Sequence, residues 1–109
     1  EENEKELDTV KREIKEETGI KDVEIIRGFK EKIYYFFKFK NELISKDVMF
    51  YLAKTKTMDV KLSFEHIGFE WLPLEKALER VTFDNSKDVL KKAADYLEKY
   101  DRQTRIDSF

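Results

Sequence analysis

Three glutamates carry the clearest chemical signal in this chain. In the run Arg12-Glu13-Ile14-Lys15-Glu16-Glu17-Thr18-Gly19-Ile20, Glu13, Glu16 and Glu17 are spaced i, i+3, i+4. On a helix their carboxylates share one side. Like charges so placed repel by about 0.2–0.5 kcal/mol per pair. Glu16 and Glu17 also fall in the last helical turn, at the negative end of the helix dipole, which costs roughly 0.3–1 kcal/mol more for each. Arg12 and Lys15 offset part of this. A divalent cation among the three would turn the repulsion into attraction. Hard carboxylate oxygens suit Mg²⁺ or Mn²⁺, the usual companions of phosphate substrates. The plain alternative is a solvated acidic face in a Glu-rich chain.

For those carboxylates to meet, the elements around them must be of particular kinds. Residues 5–18 read as a helix, because Leu7, Val10 and Ile14 recur at helical spacing and Gly19 occupies the C-terminal stop position. Val23 to Phe39 is rich in β-branched and aromatic residues, as strands require. Within it, Ile33-Tyr34-Tyr35-Phe36-Phe37 is apolar at successive positions, which predicts cover on both faces. Asn41 to Lys46 reads as a turn. Val48 to Ala53 repeats the two-faced pattern, so the two segments are expected to pair as a long hairpin. A further strand is expected over Gly68 to Leu72. Pro73 opens a short helix to about Arg80. Ser86 to Tyr100 is an amphipathic helix with Val89, Leu90, Ala93, Tyr96 and Leu97 apolar, and the polar tail from Asp101 is expected to fray. This order predicts an α+β fold, an α/β/α sandwich with a mixed sheet between helices.

Composition sets the bounds. The 109 residues leave room for a single domain, 1–109. Charged residues make up 42% of the chain, well above the usual quarter or so. They nearly cancel, leaving a net charge of -2, so nothing suggests a nucleic-acid binder working by bulk charge. The absence of cysteine excludes disulfides, Cys-ligated zinc and thiol nucleophiles. No apolar run reaches membrane-spanning length and no signal-peptide pattern is visible. A cytoplasmic protein with no membrane partner is therefore expected.

The segment Glu4 to Ile20 resembles the Nudix box. That box reads Gly, five residues, Glu, seven residues, Arg-Glu, an aliphatic, any residue, Glu-Glu, any residue, Gly, an aliphatic. Glu4 stands eight before Arg12, and Glu13, Ile14, Glu16, Glu17, Gly19 and Ile20 each follow in place. A chance match of that length is on the order of one in a hundred thousand. The opening Gly would fall before residue 1, so the chain is expected to lack the first part of the box and the strands that precede it. Outside the box, Gly28-Phe29-Lys30, Tyr35, Leu62-Ser63-Phe64-Glu65-His66, Trp71-Leu72, Glu75-Lys76-Ala77 and Phe83 are similar to the bis(5'-nucleosyl)-tetraphosphatase branch, the diadenosine tetraphosphate hydrolases.

The resemblance implies roles. Glu16 and Glu17 match metal-ligating carboxylates, and Glu13 a residue that ligates metal or orients water. Glu4 matches an auxiliary acid near the metals, and Glu65 a further ligand or general base outside the box. Arg12 resembles the arginine that holds the box carboxylates in place. Tyr35 and Phe83 match aromatic positions that sandwich a nucleobase, although in an aromatic-rich chain both also read as core. The implied activity is Mg²⁺- or Mn²⁺-dependent hydrolysis of a phosphoanhydride bond in a nucleoside polyphosphate, with a dinucleoside tetraphosphate giving NTP plus NMP. RNA 5' ends, oxidised nucleotides and ADP-ribose stay open as substrates, because specificity sits outside the box. So do a silent nucleotide-binding domain and a chain inactive for want of its first strands. His66, the sole histidine, reads as structural, and Trp71 as core packing. Lys38 and Lys40, among Phe37 and Phe39, fit a phosphate contact or a solvated strand edge equally well. No Gly-rich phosphate loop or nucleophile elbow is present.

Overall fold

A helix needs an apolar face, a start and a stop, and the first thirty residues supply all three. The structure, a computed structural model, describes residues 4–64 and 68–107, with side chains through residue 103. Its elements are α1 (Glu4–Thr18), β1 (Glu24–Phe39), β2 (Glu42–Lys54), α2 (Leu74–Arg80) and α3 (Asp84–Asp107). Two compact units divide them: Glu1–Gly28 with Leu52–Trp71, and Phe29–Tyr51 with Leu72–Phe109.

In the first unit α1 buries Leu7 and half-buries Val10 and Ile14, the face that its spacing predicts. Ile20 and Ile26 complete a small apolar core, with Ile26 only 2% exposed. The helix ends by a double device. Thr18 Oγ1 donates to Ile14 O at 2.7 Å and accepts from Ile20 N at 3.2 Å. Gly19 N donates to Lys15 O at 2.8 Å, with the glycine at φ 77°. A Cβ at Gly19 would meet Lys61 Cβ at 3.6 Å, an ordinary contact. The left-handed backbone, not lack of room, is what asks for glycine.

Asp22 ties the start of β1 to the segment after β2. Its Oδ1 accepts the hydroxyls of Thr55 and, at 2.7 Å, Thr57, and its Oδ2 accepts Lys56 N at 2.8 Å. These bonds hold the Asp22 carboxyl down at about 2, the Thr55 hydroxyl contributing most, then Thr57, then the Lys56 amide. Farther on, Lys61 N donates to Thr18 O at 2.8 Å and Ser63 N to Glu17 O at 3.0 Å. Residues 55–63 thus form a strap from Asp22 to the end of α1. Trp71 Nε1 donates to Met58 O at 2.9 Å, midway along it. Trp71 is 45% exposed, so the core role expected for it gives way to this hydrogen bond.

In the second unit the hairpin turns at Lys40 and Asn41, with φ of 52° and 66°. Two successive residues at positive φ make a turn whose twist matches that of the strands. This two-residue turn replaces the longer one expected over Asn41 to Lys46, and β2 accordingly starts at Glu42. Across the ladder Lys30 lies over the Tyr51 ring at 5.9 Å, and Lys32 reaches Asp47 at 3.8 Å. The other face of β1 meets α3: the Phe29 and Tyr96 rings are 5.8 Å apart, and Lys92 pairs with Glu31 at 3.3 Å. Phe29, Val89 and Ala93 are the buried apolar residues here. Pro73 sits at the N-cap of α2, which packs against α3.

Several expectations need correction. The sheet among the described residues is the antiparallel pair β1–β2, where a mixed sheet between helices was expected; the α+β class itself holds. Tyr34 and Phe36 are 60% and 64% exposed, so the apolar run is not covered on both faces. It lies toward the hairpin turn, where the second face has no described layer to meet. Residues 68–72 form no strand. Their aromatic composition suits one, but a strand also needs a ladder partner. The α3 helix begins two residues earlier than expected and continues through the polar tail, helped by an Arg102–Glu98 pair at 3.5 Å and i, i+4 spacing.

Two expected outcomes follow from the first unit. Gly19→Ala forces a Cβ into the left-handed region and lowers stability by about 1–2 kcal/mol, read as a drop in urea midpoint at unchanged slope. For Asp22, a folded pKa below the unfolded one means that its contribution is complete above pH of about 4 and is lost as pH falls toward about 2. Thermal midpoints of Asp22→Asn should therefore fall less than those of the parent across that window. Parallel curves would count against the bonds.

Candidate metal and nucleotide site

The spacing that brings three glutamates to one side of a helix is realised in α1. Glu13 and Glu16 are exposed and Glu17 is half-buried. Arg12 lies one turn before Glu16, and its Nη1 donates to Glu16 Oε2 at 3.2 Å and Oε1 at 3.3 Å. Both side chains are about 60% exposed, at 59% and 60%, so water screens the pair and it contributes little to stability. The pair holds the Glu16 carboxylate beside the Arg12 guanidinium. Glu4, in the first turn, accepts a hydrogen bond from Arg27 Nη2 of β1. This ion pair, not a position among the other acids, is where the structure places Glu4.

The strap supplies what the end of α1 lacks. The last carbonyls of a helix have no partner within it. Lys61 N and Ser63 N cap Thr18 O and Glu17 O, fixing the turn that bears Glu16 and Glu17. Ser63 Oγ is buried there with no hydrogen-bond partner among the described residues. A polar atom left so beside an acidic turn fits a hydrated ion nearby.

The donor set is therefore chemically right for a hard divalent cation: three carboxylates from one helix side and an unsatisfied hydroxyl at the same helix end. As the side chains stand they are not gathered. Among the described residues, no group of three His, Asp or Glu is arranged to hold a metal ion. Glu16 is drawn to Arg12. Glu65 and His66 lie outside the described residues.

The two aromatic candidates belong to the second unit. Tyr35 is 39% exposed, with its ring 6.2 Å from that of Phe37. Phe83 is largely exposed, and its carbonyl accepts Lys87 N in the first turn of α3. No ring contact joins Tyr35 to Phe83 among the described residues. Both side chains are at least partly open to solvent. Lys38 is exposed, and Lys40 lies over the Phe39 ring at 5.4 Å.

A shallow cleft of about 380 Å³, lined by Asp22, Glu24, Lys54, Thr55 and Lys56, opens at the Asp22 end of the strap. Lys54 and Glu24 pair across it at 3.8 Å. Sequence reasoning missed Asp22 because its partners lie 33 to 35 residues away, and no local pattern announces such a contact. The Thr-Lys-Thr run at 55–57, between a strand and a polar loop, was the sole available hint.

Comparison with known proteins adds an independent line. The NUDIX domain family model matches residues 1–93. The asymmetrical bis(5'-nucleosyl)-tetraphosphatase of Mus musculus is 35% identical over 98 residues, 86% of this chain and 64% of that protein. Its Sus scrofa counterpart is 36% identical over the same shares. The chain thus spans 64% of the length of these curated relatives. Among solved structures, a C. elegans Ap4A hydrolase binary complex aligns with a TM-score of 0.69 at 29% identity, covering 90% of this chain and 71% of that one. The acidic helix, its glycine stop and the match across residues 1–93 agree: this chain belongs to the NUDIX domain family.

Proposed function

We propose that this chain, as one domain over residues 1–109, hydrolyses a phosphoanhydride bond in a nucleoside polyphosphate with the help of a divalent cation. The observation that carries this reading is the set Glu13, Glu16 and Glu17 on one side of α1, with the last helical turn held by the strap. The relatives are named as asymmetrical bis(5'-nucleosyl)-tetraphosphatases, which supports a dinucleoside tetraphosphate as substrate and NTP plus NMP as products. Glu13, Glu16 and Glu17 would hold Mg²⁺ or Mn²⁺, with Glu65 as a further ligand or general base and Glu4 in support. Bound there, the ion would neutralise phosphate oxygens and make a water nucleophilic near neutral pH.

The chain's own residues do the positioning. Arg12 holds Glu16 by its guanidinium, which fixes one carboxylate and tempers the repulsion around it. The backbone caps at Thr18 O and Glu17 O keep the last turn from fraying. Tyr35 and Phe83, both exposed, would stack on a nucleobase. Little covalent work falls to the protein in such a reaction, so orientation and charge dominate. No helix is long and apolar enough to cross a membrane among the described residues, and the proposed setting is the cytoplasm.

The alternative reading is a nucleotide-binding domain without turnover. A panel of dinucleoside polyphosphates, nucleotide sugars and nucleoside triphosphates, incubated with Mg²⁺ and resolved by chromatography, separates the two. AMP plus ATP from diadenosine tetraphosphate is the expected outcome. Cleavage of nucleotide sugars alone would sink the tetraphosphate assignment, and no cleavage of anything would favour the silent binder. Glu17→Gln at saturating Mg²⁺ should lower turnover by roughly 100-fold or more. Full turnover in that variant would remove Glu17 from the ligand set.

A further inference from the structure

The end of α1 is a place where a helix should come apart. Three like charges share one side of it, two of them in the last turn, and its final carbonyls have no partner within the helix. Two of those carbonyls are nonetheless capped, by Lys61 N and Ser63 N from more than forty residues downstream. The strap that delivers these amides is anchored at its other end by Asp22. That carboxylate receives three hydrogen bonds from consecutive residues, Thr55, Lys56 and Thr57. The Thr57 amide adds a bond to Thr55 Oγ1 at 3.0 Å, which stiffens the anchor.

We propose that Asp22 is a positioning residue for the acidic turn of α1, acting through the strap at residues 55–63. The proposal rests on the reading of Glu13, Glu16 and Glu17 as cation ligands. Asp22 itself touches neither a cation nor a substrate in it. The mechanism is mechanical. Asp22 fixes where the strap begins, the strap fixes Lys61 and Ser63, and these fix Glu17 and Thr18. The low pKa of Asp22 means that the anchor stays ionised across the neutral range. With the anchor cut, residues 55–60 keep the Trp71 bond but lose their fixed origin, and the caps open more often. Ligands on a helix turn that frays spend less time in register, and cation affinity falls in proportion.

The test uses the full chain and two readouts, one of which needs no cation. The first is amide hydrogen exchange at Lys61 and Ser63. The second is Mn²⁺ affinity, measured by paramagnetic resonance of the free ion. Asp22→Ala should speed exchange at both amides and weaken Mn²⁺ binding, each by roughly tenfold. Asp22→Asn should fall between Asp22→Ala and the parent. Its amide can still accept from the threonine hydroxyls, but it offers a donor where Lys56 N needs an acceptor. Val89→Ala, a truncation in the buried face of α3, provides the control: it should lower the melting temperature while leaving Mn²⁺ affinity and strap exchange in place. Unchanged exchange in Asp22→Ala overturns the proposal. Faster exchange with unchanged Mn²⁺ affinity overturns it too, because the strap would then be stabilising and nothing more. If Val89→Ala moved both readouts as far as Asp22→Ala, general loosening would replace positioning as the cause. A parent chain that takes up no Mn²⁺ removes the cation reading and with it the positioning role, while the exchange data still report separately whether Asp22 anchors the strap.

Discussion

Repulsion among carboxylates at a helix C-terminus is the constraint around which the first unit is arranged. Glu13, Glu16 and Glu17 stand where both their neighbours and the helix dipole disfavour negative charge. Local charge offsets only part of that cost. Arg12 answers one carboxylate, and it does so from a solvent-exposed position where an ion pair is weak. The remaining support comes from the backbone: a glycine in the left-handed region, a threonine hydroxyl folded back onto the helix, and two amides from a distant strap. Backbone bonds of this kind do not depend on charge. They hold the turn without neutralising its carboxylates. A helix so burdened and so supported is what a cation site asks of a scaffold.

Much of this was legible in the residues, and the reasons for the rest are physical. The extent of α1 and its stop at Gly19 follow from periodicity and one glycine, both local signals. The candidate ligands were legible because a helix converts spacing into direction. The hairpin was legible as two apolar runs, but its turn was placed too late. Lys40 at positive φ carries no sequence signature, and the polar run after Asn41 reads as loop although it continues as strand. Residues 68–72 show the opposite failure, strand composition without a ladder. The anchoring by Asp22 and the course of the strap left almost nothing to read, because long-range hydrogen bonds between a carboxylate and a loop leave no period to detect. The family resemblance extended the reading from a charged helix to a chemistry, and the match over residues 1–93 supports that extension.

The division of labour between the two units follows the same logic. The candidate acids of α1 lie in the first, and the aromatic candidates Tyr35 and Phe83 in the second. Small cores suffice for each: Leu7, Ile20 and Ile26 in one, Phe29, Val89 and Ala93 in the other. Among the described residues neither core contains a buried charge.

The hairpin beyond Gly28 has a colloidal consequence. Tyr34, Phe36 and Leu43 face outward on a two-stranded ribbon, the kind of surface that recruits another ribbon edge to edge. Lys30, Lys32 and Lys38 interrupt that apolar ribbon, and Lys30 and Lys32 lie over rings of the hairpin itself. Each ammonium group brings its own hydration shell to the sticky face, so a neighbouring ribbon would have to strip several of them before stacking could begin. The lysines thus place charge and bound water among the exposed rings.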